Sequence, residues 1–289
     1  YEVPQTKKQV SVLHIDADED HVSLQNGKKT IVPLISVYEG IEKVGNRGIC
    51  KNIFHISKYD KKCDEIWEYA LGKIEEIYDL TNTKIYLHGD GAAWIKEGLE
   101  WLPNSCYCLD KYHANKYYKK ATTGMAGNDC VRYQKELKDA IKSGNKDEII
   151  AVQGEMISNY PSNGKTIIEA TNYLYDNFNG IEIYQNDIEA LNGGATEPHI
   201  SHILSSRLSS RTMGWSAKTL KKFVPILASR SFSFAQHSHK YNRVVQDRTV
   251  GVKNFVKNSL GLPHPDITVG IANGGKVTPL SIGLTPYFR

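Results

Sequence analysis

The sequence predicts an α/β fold, a mixed β-sheet flanked by helices and interrupted by an all-helical block. Three observations carry that expectation. Two strand-like runs, Ser11–Gln25 and Thr30–Tyr38, flank Asn26-Gly27, a strong hairpin signal because both residues tolerate positive φ. After the hairpin, strand, helix, strand, helix and strand follow in turn, an order that implies parallel crossovers. From residue 129 to 178 strand character disappears.

Taken in order, residues 1–10 read as an extended lead-in, and Gly48–His55 as a third strand extending the ribbon. Over Lys61–Leu80 the period changes: Ile66, Ala70, Ile74 and Ile77 share one helical face, with Asp60 placed to cap it. The compact strand Lys84–His88 ends in Gly89-Asp90-Gly91. Helix Ala92–Leu99, strand Ser105–Leu109 and a Lys- and Tyr-rich helix over Asp110–Thr123 come next. Val131–Lys142, Asp147–Asn159 and Lys165–Phe178 read as three inserted helices joined by Gly-, Asn- and Pro-containing turns. Ile181–Tyr184 reads as a short extended piece, and Ile200–Arg207 and Ala217–Ala228 as helices. Beyond Arg230 no element is assigned.

Composition sets bounds. The 289 residues are 40% hydrophobic and 24% charged, ordinary for a globular chain. No run approaches the roughly 18 apolar residues of a membrane helix. Five scattered cysteines fit reduced thiols in a cytoplasm better than a disulfide framework. The chain begins with Tyr1 rather than Met, which points to a fragment with an upstream segment missing. Net charge is +4, and the excess lies late: Asp247 and Asp266 are the only acids in residues 198–289, against many Lys and Arg. That distribution fits a polyanionic partner.

The chemistry centres on Val12–Gln25, a strand that carries Asp16, Asp18 and Asp20. Strands disfavour Asp, and buried carboxylates are costly unless paired or holding a metal. All three share one face by parity, so spacing does not rank them. Asp18 is favoured because it stands where the apolar run gives way to polar residues and keeps Val22 on its own face. Asp16 is held in reserve, and Asp20 is expected to be solvated. Asp90, between two glycines at a strand end, is a second candidate, although an N-cap role is the plainer alternative. Glu197, before Pro198 at a helix start, is a third. Asp110 and His113 follow a strand and project toward the same end of the sheet as Asp90. Arg207, Arg211, Lys218, Lys221 and Lys222, with Trp215 among them, suit a DNA backbone and an unstacked base; a solvated helix face over a core Trp215 is the alternative. Cys106 and Cys108 near His113 are too few for a structural zinc site.

IDADEDHVSLQ, HGDGAAWI, LDKYHANKY and above all EPHISHILSSRLSSRTMGWS resemble the DDE-type insertion-sequence transposases, within them the ISLre-type group, long catalogued as an uncharacterised bacterial protein family. The likeness covers most of residues 11–230. It implies an RNase H-like core whose acidic triad matches Asp18, Asp90 and Glu197, while Asp110 and His113 match the C/D-x-x-H motif of related Mutator-like transposases. Two Mg²⁺ or Mn²⁺ ions would sit on Asp18, Asp90 and Glu197, with Asp16 a rival to Asp18. The partner implied is double-stranded DNA, both element ends and target, and a homo-oligomer is compatible. The expected organisation is a first part of the core over 1–124, a helical insertion over 125–190, completion of the core with the Glu helix over 191–230, and a basic tail over 231–289. Members usually carry an N-terminal DNA-binding region that this chain would lack. A nuclease of the same fold without strand joining, or a non-catalytic DNA-binding remnant, are the competing expectations.

Overall fold

A computed structural model describes residues 6–45, 47–59 and 63–229. The expected basic tail over 231–289 lies outside them. Five strands form the main sheet: β1 (Val12–Ser23), β2 (Lys29–Tyr38), β3 (Phe54–Ile56), β4 (Lys84–Gly89) and β5 (Ser105–Leu109). Their spatial order is β3-β2-β1-β4-β5. The first three are antiparallel neighbours, whereas β1, β4 and β5 run parallel. The sheet is therefore mixed, as its hairpin-then-crossover sequence requires.

The hairpin turns over a three-residue loop. Leu24 N–H donates to the Lys28 carbonyl at 2.7 Å, and Gly27 alone takes positive φ, at 78°. This is a bulged turn that needs one left-handed residue, not two. The expected third strand is divided. Ile41–Val44 and Arg47–Cys50 make a small separate ribbon, and only Phe54–Ile56 joins the main sheet.

Alternation along β1 assigns two unlike faces. Leu13, Ile15 and Ala17 are fully buried under α1 (Cys63–Glu75) and α2 (Ala93–Trp101), with Ile66, Ala70, Ile74 and Ile95. Helix α1 stops before Ile77, which is 36% exposed, so the expected apolar stripe is one residue shorter. His14, Asp16, Asp18 and Asp20 point the other way, and that face too is covered.

Helices α3 (Lys111–Ala121), α4 (Gly127–Lys142), α5 (Asp147–Asn159), α6 (Gly164–Asp176) and α7 (Phe178–Asn186) share a second core built on Tyr133, Leu137, Ile149, Ile167 and Leu174. The expected extended piece at Ile181–Tyr184 is instead the middle of α7. Its short β-branched run misleads because a helix can seat closely where Gly180 brings the backbone against β5. A third core joins Val22, Val32 and Leu34 to Ile200, Leu204, Leu208 and Leu220. There α8 (Thr196–Ile200) continues through a π-helical turn, Ser201–Ser205, into Ser206–Leu208, and a last helix covers 217–229. Among the described residues no helix is long and apolar enough to cross a membrane.

A methyl group on Gly180 would lie 2.7 Å from Tyr107 Cδ1 and 3.0 Å from the Leu109 backbone nitrogen. Gly180→Ala is expected to lower stability by about 1–3 kcal/mol, the usual cost of overpacking, in urea denaturation.

Candidate active site

Register brings three of the predicted carboxylates together. Asp16 pairs with His88, and Gly89 pairs with Leu109. Carried on by two positions and by one, these registers set Asp18, Asp90 and Asp110 side by side at the carboxyl ends of β1, β4 and β5, on adjacent strands about 4.8 Å apart. Parity puts all three on the polar face. Glycine makes the turn there: Gly91 adopts φ 93°, and Asp90 Oδ1 accepts from Ala92 N–H at 2.9 Å. Asp110 caps α3, accepting from Tyr112 N–H at 3.1 Å, while its other oxygen lies 3.3 Å from His113 Nδ1. Asp110 thus caps its helix, whereas Asp90 does not: the N-cap of α2 is Ala92, without a side-chain cap, and the Asp90 carboxylate closes the turn before it.

The electrostatics are those of a site with excess negative charge. Burial raises the Asp18 carboxyl to about 7; the Glu19 N–H pulls against this, and the neighbouring charge of Asp90 adds to it. His113 is raised above its ordinary value by its contact with Asp110, against burial, and the charges of Asp90 and Asp18 help hold its proton.

Asp16 is different. Both its oxygens are engaged: Oδ1 accepts from Tyr38 Oη–H at 2.9 Å, and Oδ2 accepts from Ala195 N–H at 3.0 Å with His199 Nδ1 at the same distance. Burial would raise this carboxyl, but the His199 contact and the Tyr38 hydroxyl outweigh it and hold it below the ordinary value. The reserve candidate is therefore engaged by the fold itself through both of its oxygens. Asp20 also departs from expectation. It is 6% exposed, not solvated, and accepts from Ser209 Oγ–H at 2.7 Å.

Behind Asp16 runs a line of neutral rings. Tyr184 Oη–H donates to the Leu109 carbonyl at 3.0 Å, which only accepts, so His88 Nδ1–H must donate to Tyr184 Oη at 3.2 Å. His88 Nε2 then accepts from His14 Nδ1–H at 3.1 Å. Burial lowers both imidazoles, His14 to about 3, which fits an uncharged chain. Gly193 packs on this pair, where a Cβ would stand 2.2 Å from His14 Nδ1 and 2.4 Å from His88 Nε2.

Glu197 stands in the first turn of α8 with an exposed side chain. Its helix is fastened to β1 through Ala195 and His199, one pleat from Asp18. Among the described residues no group of three or more His, Cys, Asp or Glu side chains is arranged to hold a metal ion. The row of carboxylates and Glu197 are thus on neighbouring elements without forming a ready-made cage.

The basic segment divides as well. Arg207, Arg211, Lys218, Lys221 and Lys222 are exposed. Trp215 is not offered to a base. Its indole N–H donates to the Leu208 carbonyl at 2.9 Å, its ring stacks on Phe223 at 5.6 Å, and its backbone bridges to Leu24. The aromatic in this run serves packing beneath the cations.

Four neighbours of these residues escaped the sequence reading. Tyr173 Oη–H, from α6, donates to the Asp90 carbonyl, and Tyr107 Oη–H donates to that of Gly89 at 3.0 Å. Asn177 fits against Gly91, where a Cβ would meet its Oδ1 at 2.8 Å. The insertion thereby holds the turn that presents Asp90. His199, inside the EPHISH run, carried a signal: a histidine two residues after a candidate ligand.

Comparison with known proteins places this arrangement in a family. Residues 2–243 match the family described as Uncharacterised protein family (UPF0236). A UPF0236 protein of Caldanaerobacter subterraneus subsp. tengcongensis carrying eleven locus designations is 41% identical over 218 residues, 74% of this chain and 45% of that protein. A second from the same organism, with four designations, is 39% identical over 218 residues, again 74% and 45%. A third, with two, is 39% identical over 218 residues, 74% and 43%. The chain spans about half the length of the curated relatives it matches.

Two outcomes follow. Asp16→Ala would leave His199 and the Ala195 N–H facing a buried void; a loss of about 3–5 kcal/mol is expected in chemical denaturation. For Asp18 the sign is opposite to that of most carboxylates. Its folded-state pKa is raised from 3.8 to about 7, so the fold holds a proton the unfolded chain has released, and stability falls as pH rises through that window. Asp18→Asn should therefore melt higher than wild type at pH 8 without added metal, and at the same temperature at pH 3.

Proposed function

We propose that this chain, which belongs to the UPF0236 family, is the catalytic part of a DDE-type transposase that cleaves and joins DNA strands at the ends of a mobile element. The observation that carries this reading is the row of Asp18 and Asp90 on adjacent parallel strand ends, with the Asp18 carboxyl raised toward 7 by burial and by Asp90. Two crowded carboxylates are the donor set of a hard divalent cation. The sheet order β3-β2-β1-β4-β5, with the first three strands antiparallel and the last two parallel to β1, supports an RNase H-like core. Relatives that carry up to eleven locus designations in one genome support a sequence that copies itself.

Asp18 and Asp90 would hold Mg²⁺ or Mn²⁺, with Glu197 reaching in from α8 to complete the set. When bound, two such ions lower the pKa of the attacking water or 3′-hydroxyl and offset charge on the phosphate. The chain's own groups do the rest. Asp18, on a rigid central strand, would release its proton to solvent in order to serve as a ligand. Asp110 keeps His113 protonated and oriented, so that its other ring nitrogen can donate to a phosphate oxygen. Tyr173 and Tyr107 fix the turn that sets Asp90, and the Asp16–His199 contact fixes the helix that carries Glu197. Arg207, Arg211, Lys218, Lys221 and Lys222 give the flanking duplex a cationic surface.

The test uses a supercoiled plasmid carrying the gene between its own flanking repeats, with Mg²⁺. Wild type should release the element with joined strands; nicks without joining would favour the nuclease reading. Asp18→Ala, Asp90→Ala and Glu197→Ala should each lose several kcal/mol of transition-state stabilisation, about a thousandfold or more in rate. Undiminished cleavage by Glu197→Ala would remove it from the set.

A further inference from the structure

Away from the carboxylate row, one cleft is walled by cations. It lies between α3, α4 and α7, each of which contributes residues at i, i+3 and i+4. Lys111, Lys138 and Lys142 stand around it, Asn115 adds an amide, and Tyr118 and Tyr184 form its floor. Its volume is about 250 Å³, below the usual range for a small-molecule pocket. No acidic residue lines it.

The ammonium groups have few commitments and fixed directions. Lys111 Nζ lies 4.8 Å above the Tyr184 ring, and Lys138 Nζ lies 5.3 Å above that of Tyr118. Lys111 Nζ also stands 3.4 Å from the Leu191 carbonyl. Lys142 has Asp139 Oδ1 at 3.8 Å, but both side chains are more than half exposed, and such pairs contribute little. The cleft also has a meaningful position. Lys111 directly follows Asp110, so the α3 wall of the cleft begins next to the carboxylate row.

We propose that this cleft holds the sugar–phosphate backbone of DNA flanking the segment on which the carboxylates act, which rests on the phosphoryl-transfer reading above. The ring faces are covered by ammonium groups, which leaves them no room to stack on bases. Contact is therefore to phosphates, three ammonium groups for roughly three phosphates, and carries no sequence preference. This assigns a DNA-holding task to the helical insertion, separate from the basic segment after α8.

The experiment measures binding of the full chain to a fluorescein-labelled DNA duplex of arbitrary sequence, without metal, over a KCl series. Each phosphate contact contributes about 0.9 to the slope of log K against log salt. Lys111→Gln/Lys138→Gln/Lys142→Gln is expected to make that slope shallower by roughly 2–3. Lys138→Gln/Lys142→Gln, which keeps the Lys111 contacts and guards against loss of fold, should make it shallower by about 2. Circular dichroism melts identify a misfolded variant. Wild-type binding with the slope unchanged in the double variant overturns the cleft and leaves the phosphoryl-transfer reading standing. No binding by wild type at low salt overturns that reading and the cleft with it. Tighter binding to an RNA duplex of the same sequence than to DNA overturns the named occupant.

Discussion

The structure depends on a buried carboxylate whose two oxygens are both held within the fold. Asp16 sits in the middle of the central strand, 2% exposed, and is met by donors from β2 and from the segment that leads into α8, more than 175 residues along the chain. A buried ionised carboxylate without partners costs several kcal/mol. The polar face of the sheet is therefore unstable on its own and becomes stable only when the segment after the insertion has been laid across it. Burial and pairing have to arrive together, which makes the sheet and α8 one cooperative unit despite the helices between them.

From that anchor the polar face changes character along the strand direction. At the inner end His14, His88 and Tyr184 pass hydrogen bonds in one direction, stay neutral, and close against Gly193. At the outer end Asp18 and Asp90 are left with like charges facing each other. A site of this kind lowers the stability of the empty protein, the ordinary exchange between stability and activity.

Much of this was legible in the residues. The hairpin, the crossover order and the inserted helices follow from Asn26-Gly27, from period changes and from glycines at strand ends. The placing of Asp18, Asp90, Asp110 and His113 at one end of the sheet follows from the same signals. What was not legible depends on partners distant in sequence. Asp16, Asp18 and Asp20 have the same parity, and only what covers each separates them: Tyr38 and His199 for Asp16, Ser209 for Asp20, and for Asp18 the N–H of its neighbour Glu19. Trp215 among cations reads as a nucleic-acid platform until its indole N–H is traced to Leu208. Ile181–Tyr184 has strand composition, and its helix depends on the room Gly180 leaves at β5, a tertiary fact overriding a local one.

The wide turn in the helix that begins at Thr196 has a consequence of its own. Thr196, Ile200, Leu204 and Leu208 are buried at strict intervals of four. In a uniform α-helix, with 3.6 residues per turn, that stripe would wander by about 120° from first to last. Ser201–Ser205 winds more slowly and takes up the drift, so Ile200, Leu204 and Leu208 all stay turned toward Val22, Val32 and Leu34 of the hairpin. The helix is in effect phased like a vernier against the strand beneath it. Adding or deleting one residue in this short run would leave composition and hydrophobicity almost untouched, yet turn Glu197 and His199 away from their stations or Leu204 and Leu208 away from theirs. Spacing, more than residue identity, is what this segment must preserve.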